Sequence, residues 1–150
     1  MLTVGSTAPA ISLPNQDGQV TDLQVLRGRR VLVFFYPKAN TPGCTQQACA
    51  LRDIVANVAG TVIVGISPDN PAVQKKFDDK YSLGFDLLAD TEHSVAEAYG
   101  VWAEKVNYGK KYMGIVRSAF LIDAAGKIEH AWYKISPADT PQRLLEALAR

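Results

Sequence analysis

The chain has 150 residues, of which 47% are apolar and 21% charged, and its formal net charge is +1. This length and composition predict a single domain, residues 1–150, that can bury a full core without disulfide or metal support. No block of like charge and no bilayer-length apolar run is present, so neither a nucleic-acid nor a membrane partner has support.

The N-terminal part of the sequence predicts a short β-hairpin followed by a buried strand. The hairpin turn is expected at Asn15-Gln16-Asp17-Gly18, and a loop is expected at Arg27-Gly28. The next segment, "RVLVFFYP", is apolar on both faces and is stopped by Pro37. This pattern is typical of a central strand in a sheet that is covered on both sides.

Thr41 and Pro42 then predict the start of a helix, with threonine as the N-cap and proline in the first helical position. The helix is expected to run through "TQQACALRDIVANVA" and to stop near Gly60. Its inward stripe would consist of Ala48, Leu51, Ile54, Val55 and Val58.

Strands and helices are predicted to alternate along the rest of the chain. The expected order is a buried strand in "TVIVGIS", a helix in "DNPAVQKKFDDKYS", a short strand in "FDLLAD" and a short helix in "TEHSVAEAYG". A looser stretch, "VWAEKVNYGKKYMGIV", is expected next. Two strands with a tight turn at Ala125-Gly126 follow in "RSAFLIDAAGKIEHAWYKI", and "SPADTPQRLLEALAR" closes as an amphipathic helix.

The order βαβ followed by ββα predicts an α/β, thioredoxin-like fold. Its central sheet would be mixed and flanked by helices. The N-terminal hairpin would be an extension of that fold, and one strand–helix segment would be an insertion.

The chain contains two cysteines, Cys44 and Cys49. The N-terminus lacks a basic patch followed by a long apolar region, so no signal peptide is expected and the cytoplasm is the expected compartment. In a reducing compartment two cysteines are free to react and are not expected to form a permanent disulfide.

Cys44 is predicted to lie in the first turn of a helix that follows a central strand, at the sheet edge where ligands usually bind. Unpaired backbone N–H groups and the helix dipole favour an anion there. Lowering the pKa of a thiol by two units requires about 2.7 kcal/mol, whereas a helix terminus supplies about 0.3–1 kcal/mol. A further cationic or hydrogen-bonding group is therefore expected elsewhere in the sequence.

Cys49 lies five residues after Cys44. In an intact helix this spacing separates the Cα atoms by roughly 8–9 Å, beyond the range of about 4.4–6.8 Å in a disulfide. The two sulfurs can therefore bond only if the first turns of the helix unwind. From the spacing alone, Cys49 is equally well explained as a small buried apolar residue.

The stretch "PKANTPGCTQQAC" resembles the active-site loop and helix of the peroxiredoxins. Their pattern P-x-x-x-[TS]-x-x-C corresponds here to Pro37, Thr41 and Cys44. The similarity is closest to the peroxiredoxin Q subfamily, also called bacterioferritin comigratory protein, which reads TPGCT…AC followed by RD. The segments "YGVWAEK" and "GIVRSAFLID" are also similar to that subfamily, so the resemblance covers essentially the whole chain.

The resemblance implies the reduction of hydrogen peroxide or organic hydroperoxides. Cys44 would be the peroxidatic cysteine, Thr41 would hydrogen-bond the sulfur and the peroxide, and Pro37 would shield the pocket from water. Arg117 would lie beside the sulfur and supply the missing cation. Without the resemblance, these residues are explained as a helix cap (Thr41), a strand terminator (Pro37) and a surface residue (Arg117).

The resemblance also implies that Cys49 is the resolving cysteine. It would form an intramolecular disulfide with the sulfenic acid of Cys44, and a thioredoxin-like or glutaredoxin-like protein would reduce that disulfide. No metal or other cofactor is implied, and His93 and His130 lack ligand spacing. A monomer is expected, because the sequence shows no long C-terminal arm of the kind that carries the resolving cysteine in dimeric relatives.

One position departs from the family pattern, because Gln47 stands where many relatives have glutamate. The hydrogen bond to the arginine is expected to survive, with a modest change in charge balance. Trp102, Lys105 and Tyr112 could line the pocket or contact the reductant, but packing and surface positions are favoured for them.

Two other functions are compatible with the same fold. A thiol–disulfide oxidoreductase is one, although its expected C-x-x-C pair is absent. A redox-sensing domain that signals through a reversible disulfide is the other.

Overall fold

The computed structural model describes residues 2–54 and 60–148. In these residues the strands are β1 (Ser12–Pro14), β2 (Val20–Asp22), β3 (Arg30–Phe35), β4 (Thr61–Ser67), β5 (Asp86–Ala89), β6 (Trp102–Asn107), β7 (Lys110–Ile115), β8 (Ser118–Ile122) and β9 (Ile128–Trp132). The α-helices are α1 (Pro42–Ile54), α2 (Pro71–Tyr81), α3 (Ser94–Ala98) and α4 (Asp139–Leu148). A short 3-10 turn spans Leu23–Leu26.

Five strands form the central sheet in the order β5-β4-β3-β8-β9. β3 pairs in parallel with β4 and antiparallel with β8, so the sheet is mixed. The predicted α/β architecture is thus confirmed, with the βαβ unit in β3–α1–β4 and the ββα unit in β8–β9–α4. β5 and α3 supply the inserted strand–helix segment.

β3 is the central strand that its apolar run predicted. Its side chains alternate between two core clusters, as a strand covered on both faces requires. Leu32 and Phe34 belong to the cluster that includes Cys44 of α1, and Val33 and Phe35 belong to the cluster that includes Val95 of α3.

The predicted hairpin turn and the predicted start of α1 are also confirmed. The Asn15 side chain accepts hydrogen bonds from the backbone of Asp17 and Gln19, which closes the β1–β2 hairpin. The backbone N–H of Thr45 donates to the carbonyl of Thr41 at 2.8 Å, which begins α1 at the predicted position.

The prediction of a looser stretch at residues 101–116 is wrong. β6 and β7 form a separate antiparallel hairpin there, with Lys105 opposite Tyr112. Tyr108 and Gly109 make its two-residue turn with φ values of 51° and 76°, as tight hairpins require. The polar side chains on both faces hid the alternation that normally reveals a strand.

Parts of two predicted helices lie outside the described residues. Val55 and Val58, which the sequence assigned to the inward stripe of the predicted helix, lie outside the described residues, as do residues 149 and 150 of the predicted C-terminal helix. Ala48 and Leu51 of the same stripe are fully buried.

We expect Gly65→Ala to lower the free energy of unfolding by about 1–3 kcal/mol, which is the usual cost of overpacking a dense core. An added Cβ in β4 would lie 2.8 Å from Phe34 Cζ and 3.0 Å from Tyr36 Cε1. Urea denaturation measures the change. The control Ala124→Ser also adds one atom, in an exposed turn, and should stay within about 0.5 kcal/mol of the native chain. Equal stability of the two variants would contradict the close packing of Gly65 against Phe34 and Tyr36.

Candidate active site

Cys44 lies in the first turn of α1, just beyond the carboxyl end of β3. Its side chain is only 1% exposed and belongs to the core cluster under α1. Pro37 is half-buried in the connection between β3 and α1, and its backbone lacks the N–H that a continuing strand would need. Because β3 ends before Pro37 and α1 begins at Pro42, the Cys44 sulfur lies at the carboxyl edge of the sheet.

The connection before α1 is held from both sides. The backbone N–H of Ala39 donates to Asp69 Oδ2 at 2.7 Å, which ties the segment to the loop after β4. The hydroxyl of Thr41 donates to the carbonyl of Lys38 at 2.7 Å. Thr41 therefore stands at the N-terminal boundary of α1, three residues before the cysteine, with its hydroxyl used within the loop.

Arg117 brings a permanent positive charge to the sulfur. It immediately precedes β8, whose Ser118 pairs with Phe35 at the carboxyl end of β3. This register places Arg117 beside α1, although 73 residues separate it from Cys44. Its Nη2 donates a hydrogen bond to Cys44 Sγ at 3.2 Å.

The guanidinium of Arg117 is held in place by a buried chain of hydrogen bonds. Its Nη1 donates to Gln47 Oε1 at 2.7 Å, and Gln47 Nε2 donates to Thr140 Oγ1 at 2.8 Å. The Thr140 hydroxyl in turn donates to the carbonyl of Ser136 at 2.9 Å. Gln47 and Thr140 are 0% and 1% exposed, so this chain is shielded from water and fixes the arginine from the side of α4.

The amide of Gln47 thus forms the hydrogen bond with Arg117 that was expected from the sequence. It accepts from Arg117 without adding a negative charge beside the sulfur, which leaves the arginine charge less neutralised. The partner of Gln47, Thr140, is a residue that sequence reasoning missed. The contact spans 93 residues between two helices, and no local pattern signals it.

Lys105 is a second cation on this side of the molecule. Its pKa is lowered by partial burial and by repulsion from Arg117, whereas a negative Cys44 would raise it. The stem of Lys105, on β6, lies against Gly114 of β7. Trp102 instead stacks on His93 at a ring distance of 4.0 Å and packs against the opposite core cluster.

The buried Tyr36 belongs to the same core cluster as Cys44. Burial raises the pKa of Tyr36, so its phenol stays neutral, and its hydroxyl donates to the side chain of Gln74. A neutral phenol places no competing negative charge near the sulfur.

Cys49 lies five residues further along α1, roughly one and a half turns, and is half-buried against the same core cluster as Cys44. Both cysteines are free thiols. Since both lie in the same continuous helix, its geometry separates their Cα atoms by about 8–9 Å. The site as folded is therefore a dithiol whose two sulfurs cannot bond without a change in α1.

Within residues 2–54 and 60–148, no group of three or more His, Cys, Asp or Glu side chains is arranged to hold a metal ion. His93 and His130 are each stacked on a tryptophan. The helices of the same residues are too short or too polar to cross a membrane.

Comparison with known proteins identifies the class to which this fold and this thiol site belong. The profile of the AhpC/TSA family matches residues 4–131. The peroxiredoxin Bcp of Escherichia coli (strain K12) is 53% identical over 133 residues, which cover 87% of this chain and 85% of that protein.

Two solved structures share the fold. One is the Xanthomonas campestris bacterioferritin comigratory protein, which was studied for its alkyl peroxide reduction activity. It superposes with a TM-score of 0.87 at 32% identity, over 93% of this chain and 90% of that one. The peroxidoxin BcpB of Mycobacterium tuberculosis gives a TM-score of 0.88 at 33% identity, over 99% and 97% of the two chains.

The chain therefore belongs to the AhpC/TSA family, and within it to the peroxiredoxins of the bacterioferritin comigratory protein or peroxiredoxin Q type. The thioredoxin-like fold predicted from the sequence is confirmed by the same structural neighbours. This membership makes the protein a thiol peroxidase.

We expect Gln47→Leu to slow the reaction of the protein with peroxide by about ten- to a hundredfold. The loss of one hydrogen bond to a charged group costs about 1.5–3 kcal/mol, and 1.4 kcal/mol corresponds to a factor of ten in rate. Gln47→Glu keeps an acceptor for Arg117 and should retain more of the rate. Stopped-flow oxidation by one equivalent of hydrogen peroxide measures both. A leucine variant as fast as the native chain would show that the arginine does not need this partner.

Proposed function

We propose that the protein reduces peroxides through the thiolate of Cys44, and the observation that carries this proposal is the hydrogen bond from Arg117 to the sulfur. The thiolate attacks one peroxide oxygen, a sulfur–oxygen bond forms and the O–O bond breaks. The other oxygen leaves with the bond's electron pair and takes up a proton, which gives water or an alcohol. Cys44 is left as a sulfenic acid.

Arg117 acts twice in this step. It stabilises the thiolate before the reaction, and it stabilises the negative charge that develops on the departing oxygen. Fixed donors contribute most when they need no rearrangement as charge develops, and the chain from Arg117 through Gln47 to Thr140 supports that condition.

Thr41 and Pro37 complete the proposed pocket. The Thr41 hydroxyl donates to the carbonyl of Lys38 and keeps its oxygen lone pairs available to accept a hydrogen bond from the incoming peroxide. Pro37 presents an apolar ring without a backbone donor, which limits the access of water.

Cys49 resolves the intermediate. After the first turns of α1 unwind, its thiolate attacks the sulfur of the Cys44 sulfenic acid, a disulfide forms and hydroxide leaves. The sulfenic sulfur is reduced as the Cys49 sulfur is oxidised, and a thioredoxin-like or glutaredoxin-like dithiol then restores both thiols.

The substrates in this proposal are hydrogen peroxide and organic hydroperoxides, in keeping with the alkyl peroxide activity of the Xanthomonas relative. The proposal also includes a monomer that acts in the cytoplasm. The dithiol state of the structure corresponds to the enzyme before it meets peroxide.

We expect Cys49→Ser to react with the first equivalent of peroxide at the native rate but to stop turning over with a thioredoxin system. Without the second thiol, the sulfenic acid persists and is oxidised further to sulfinic acid. Mass spectrometry after one and after ten equivalents of peroxide follows these species.

The control for this experiment is Cys44→Ser, which should consume no peroxide at all. In the native chain the same measurement should find a bridge between Cys44 and Cys49. Normal turnover by Cys49→Ser would show that the resolving thiol is not in this chain.

A further inference from the structure

We propose that Asp69 is a positioning residue for the peroxide reaction, because its carboxylate fixes the loop that carries Thr41 and Pro37. This pocket loop, residues 36–41, joins β3 to α1. The inference rests on the function proposed above and adds a residue to it. Arg117 serves the sulfur, and Asp69 serves the loop that receives the peroxide.

The pocket loop is attached at two points to β4 and to the residues that follow β4. The backbone N–H of Tyr36 donates to the carbonyl of Ile66 at 3.0 Å, which continues the contact of β3 with β4 beyond the end of β3. Three residues later, the backbone N–H of Ala39 donates to Asp69 Oδ2 at 2.7 Å. Hydrogen bonds to a carboxylate are roughly twice as strong as those between neutral groups. Pro37 lies between the two attachments, so its segment is held at both ends.

The same carboxylate oxygen is held from the interior by Ser67. The Ser67 hydroxyl donates to Asp69 Oδ2 at 2.8 Å, and it accepts from the backbone N–H of Asp69 at 3.2 Å and from Gln74 Nε2 at 2.8 Å. A hydroxyl has one proton and two lone pairs, so these three bonds use its full capacity. Ser67 and Gln74 are both 0% exposed, and Asp69 is half-buried. The acceptor for the pocket loop is therefore fixed by buried groups.

Gln74 connects this group back to the start of the pocket loop. Its Nε2 also donates to the carbonyl of Leu88 at 3.0 Å, and a carbonyl can only accept. This contact sets the orientation of the amide, so Gln74 Oε1 faces the buried hydroxyl of Tyr36 and accepts from it. A closed ring results, in which the backbone of the pocket loop is joined at both ends to one chain of hydrogen bonds through Tyr36, Gln74, Ser67, Asp69 and Ala39.

The bond to Asp69 also holds an uncommon backbone conformation in place. Asn40, the residue after Ala39, has a φ of 62°, in the left-handed region that non-glycine residues seldom adopt. Such a conformation persists where the surrounding structure fixes it. Asp69 fixes the residue before this turn, and Thr41 follows directly after it. The direction in which the chain reaches Thr41 therefore depends on the bond from Ala39 to Asp69.

The strand order separates the task of Asp69 from that of Arg117. β4 and β8 lie on opposite sides of β3, so Asp69 reaches the pocket loop from one side and Arg117 reaches Cys44 from the other. In the proposed reaction the peroxide lies between the Thr41 hydroxyl and the sulfur, and a misplacement of about 1 Å between reacting groups can cost about a hundredfold in rate. Asp69 thus controls the alignment of the peroxide, whereas Arg117 controls the charge on the sulfur.

The test measures the rate at which one equivalent of hydrogen peroxide oxidises Cys44, by stopped-flow in the Cys49→Ser background, together with the thiolate absorbance of Cys44 at neutral pH. In Asp69→Ala we expect the rate to fall about tenfold, because the pocket loop loses its attachment at Ala39. The thiolate absorbance should keep the value of the parent chain, because the contact with Arg117 is untouched. Asp69→Asn should retain most of the rate, since its amide oxygen can still accept from Ala39.

Thr41→Val, which removes the hydroxyl and keeps a similar side-chain shape, separates a positioning role from a general structural one. If Asp69 acts by placing that hydroxyl, adding Asp69→Ala to Thr41→Val should slow the reaction further by no more than about twofold. A general structural role would cost the same factor in both chains.

Two further variants complete the experiment. Ser67→Ala removes the second bond to the Asp69 carboxylate and leaves Asp69 itself in place, and it should slow the oxidation by about threefold. The matched control is Asp79→Ala, which removes an exposed aspartate of α2 and should leave the rate unchanged.

The proposal would be overturned by native rates in both Asp69→Ala and Ser67→Ala, or by an Asp69→Ala loss that persists in full in Thr41→Val. A fall in the thiolate absorbance of Asp69→Ala would also overturn it, because Asp69 would then act on the sulfur and not on the pocket loop. If peroxide produced no sulfenic acid on Cys44 even in the native chain, the proposed function would fail first. Normal oxidation of the native chain with unaffected variants would refute this inference alone, so the two failures are distinguishable.

Discussion

The contact between the guanidinium of Arg117 and the sulfur of Cys44 is the interaction on which the rest of the site depends. A thiol with an ordinary pKa near 8.5 needs about 2.7 kcal/mol to become mostly thiolate at neutral pH. A helix start contributes about 0.3–1 kcal/mol, and a hydrogen bond to a charged group about 1.5–3 kcal/mol. The two together reach the requirement, whereas the helix alone does not. The antiparallel pairing of β8 with β3 brings Arg117 and the start of α1 together at the Cys44 sulfur.

The proposed cycle requires α1 to be intact in the dithiol state and to unwind at its start after Cys44 is oxidised. In the dithiol state its start is held by Arg117 and by the bond from Gln47 to Thr140. In the proposed cycle, oxidation to a neutral sulfenic acid would remove the negative charge that Arg117 stabilises, so the first turns of α1 would be held less tightly when unwinding is needed. The bond from Arg52 to Tyr81 lies beyond Cys49 and is independent of that charge. Reactivity and motion are thus linked through the charge on one sulfur.

Much of the fold was predictable from local patterns. The apolar run of β3 and the threonine–proline start of α1 act over a few residues, and both elements lie where these patterns indicated. The β6–β7 hairpin was missed because Glu104, Lys105 and Lys111 give it a polar sequence that does not alternate cleanly. The site was less predictable from physics alone. Its place at the start of a predicted helix identified Cys44, but only the family resemblance pointed to Arg117, and no local sequence pattern identified Thr140.

The ionisation of the Cys44 sulfur tests this account most directly. Thiolate absorbance in the ultraviolet, followed against pH in Cys49→Ser, reports this one sulfur. The account predicts that it is mostly thiolate at neutral pH and that adding Arg117→Gln leaves it mostly protonated there. A sulfur that is protonated at neutral pH with the arginine present, or equally ionised without it, would contradict the account.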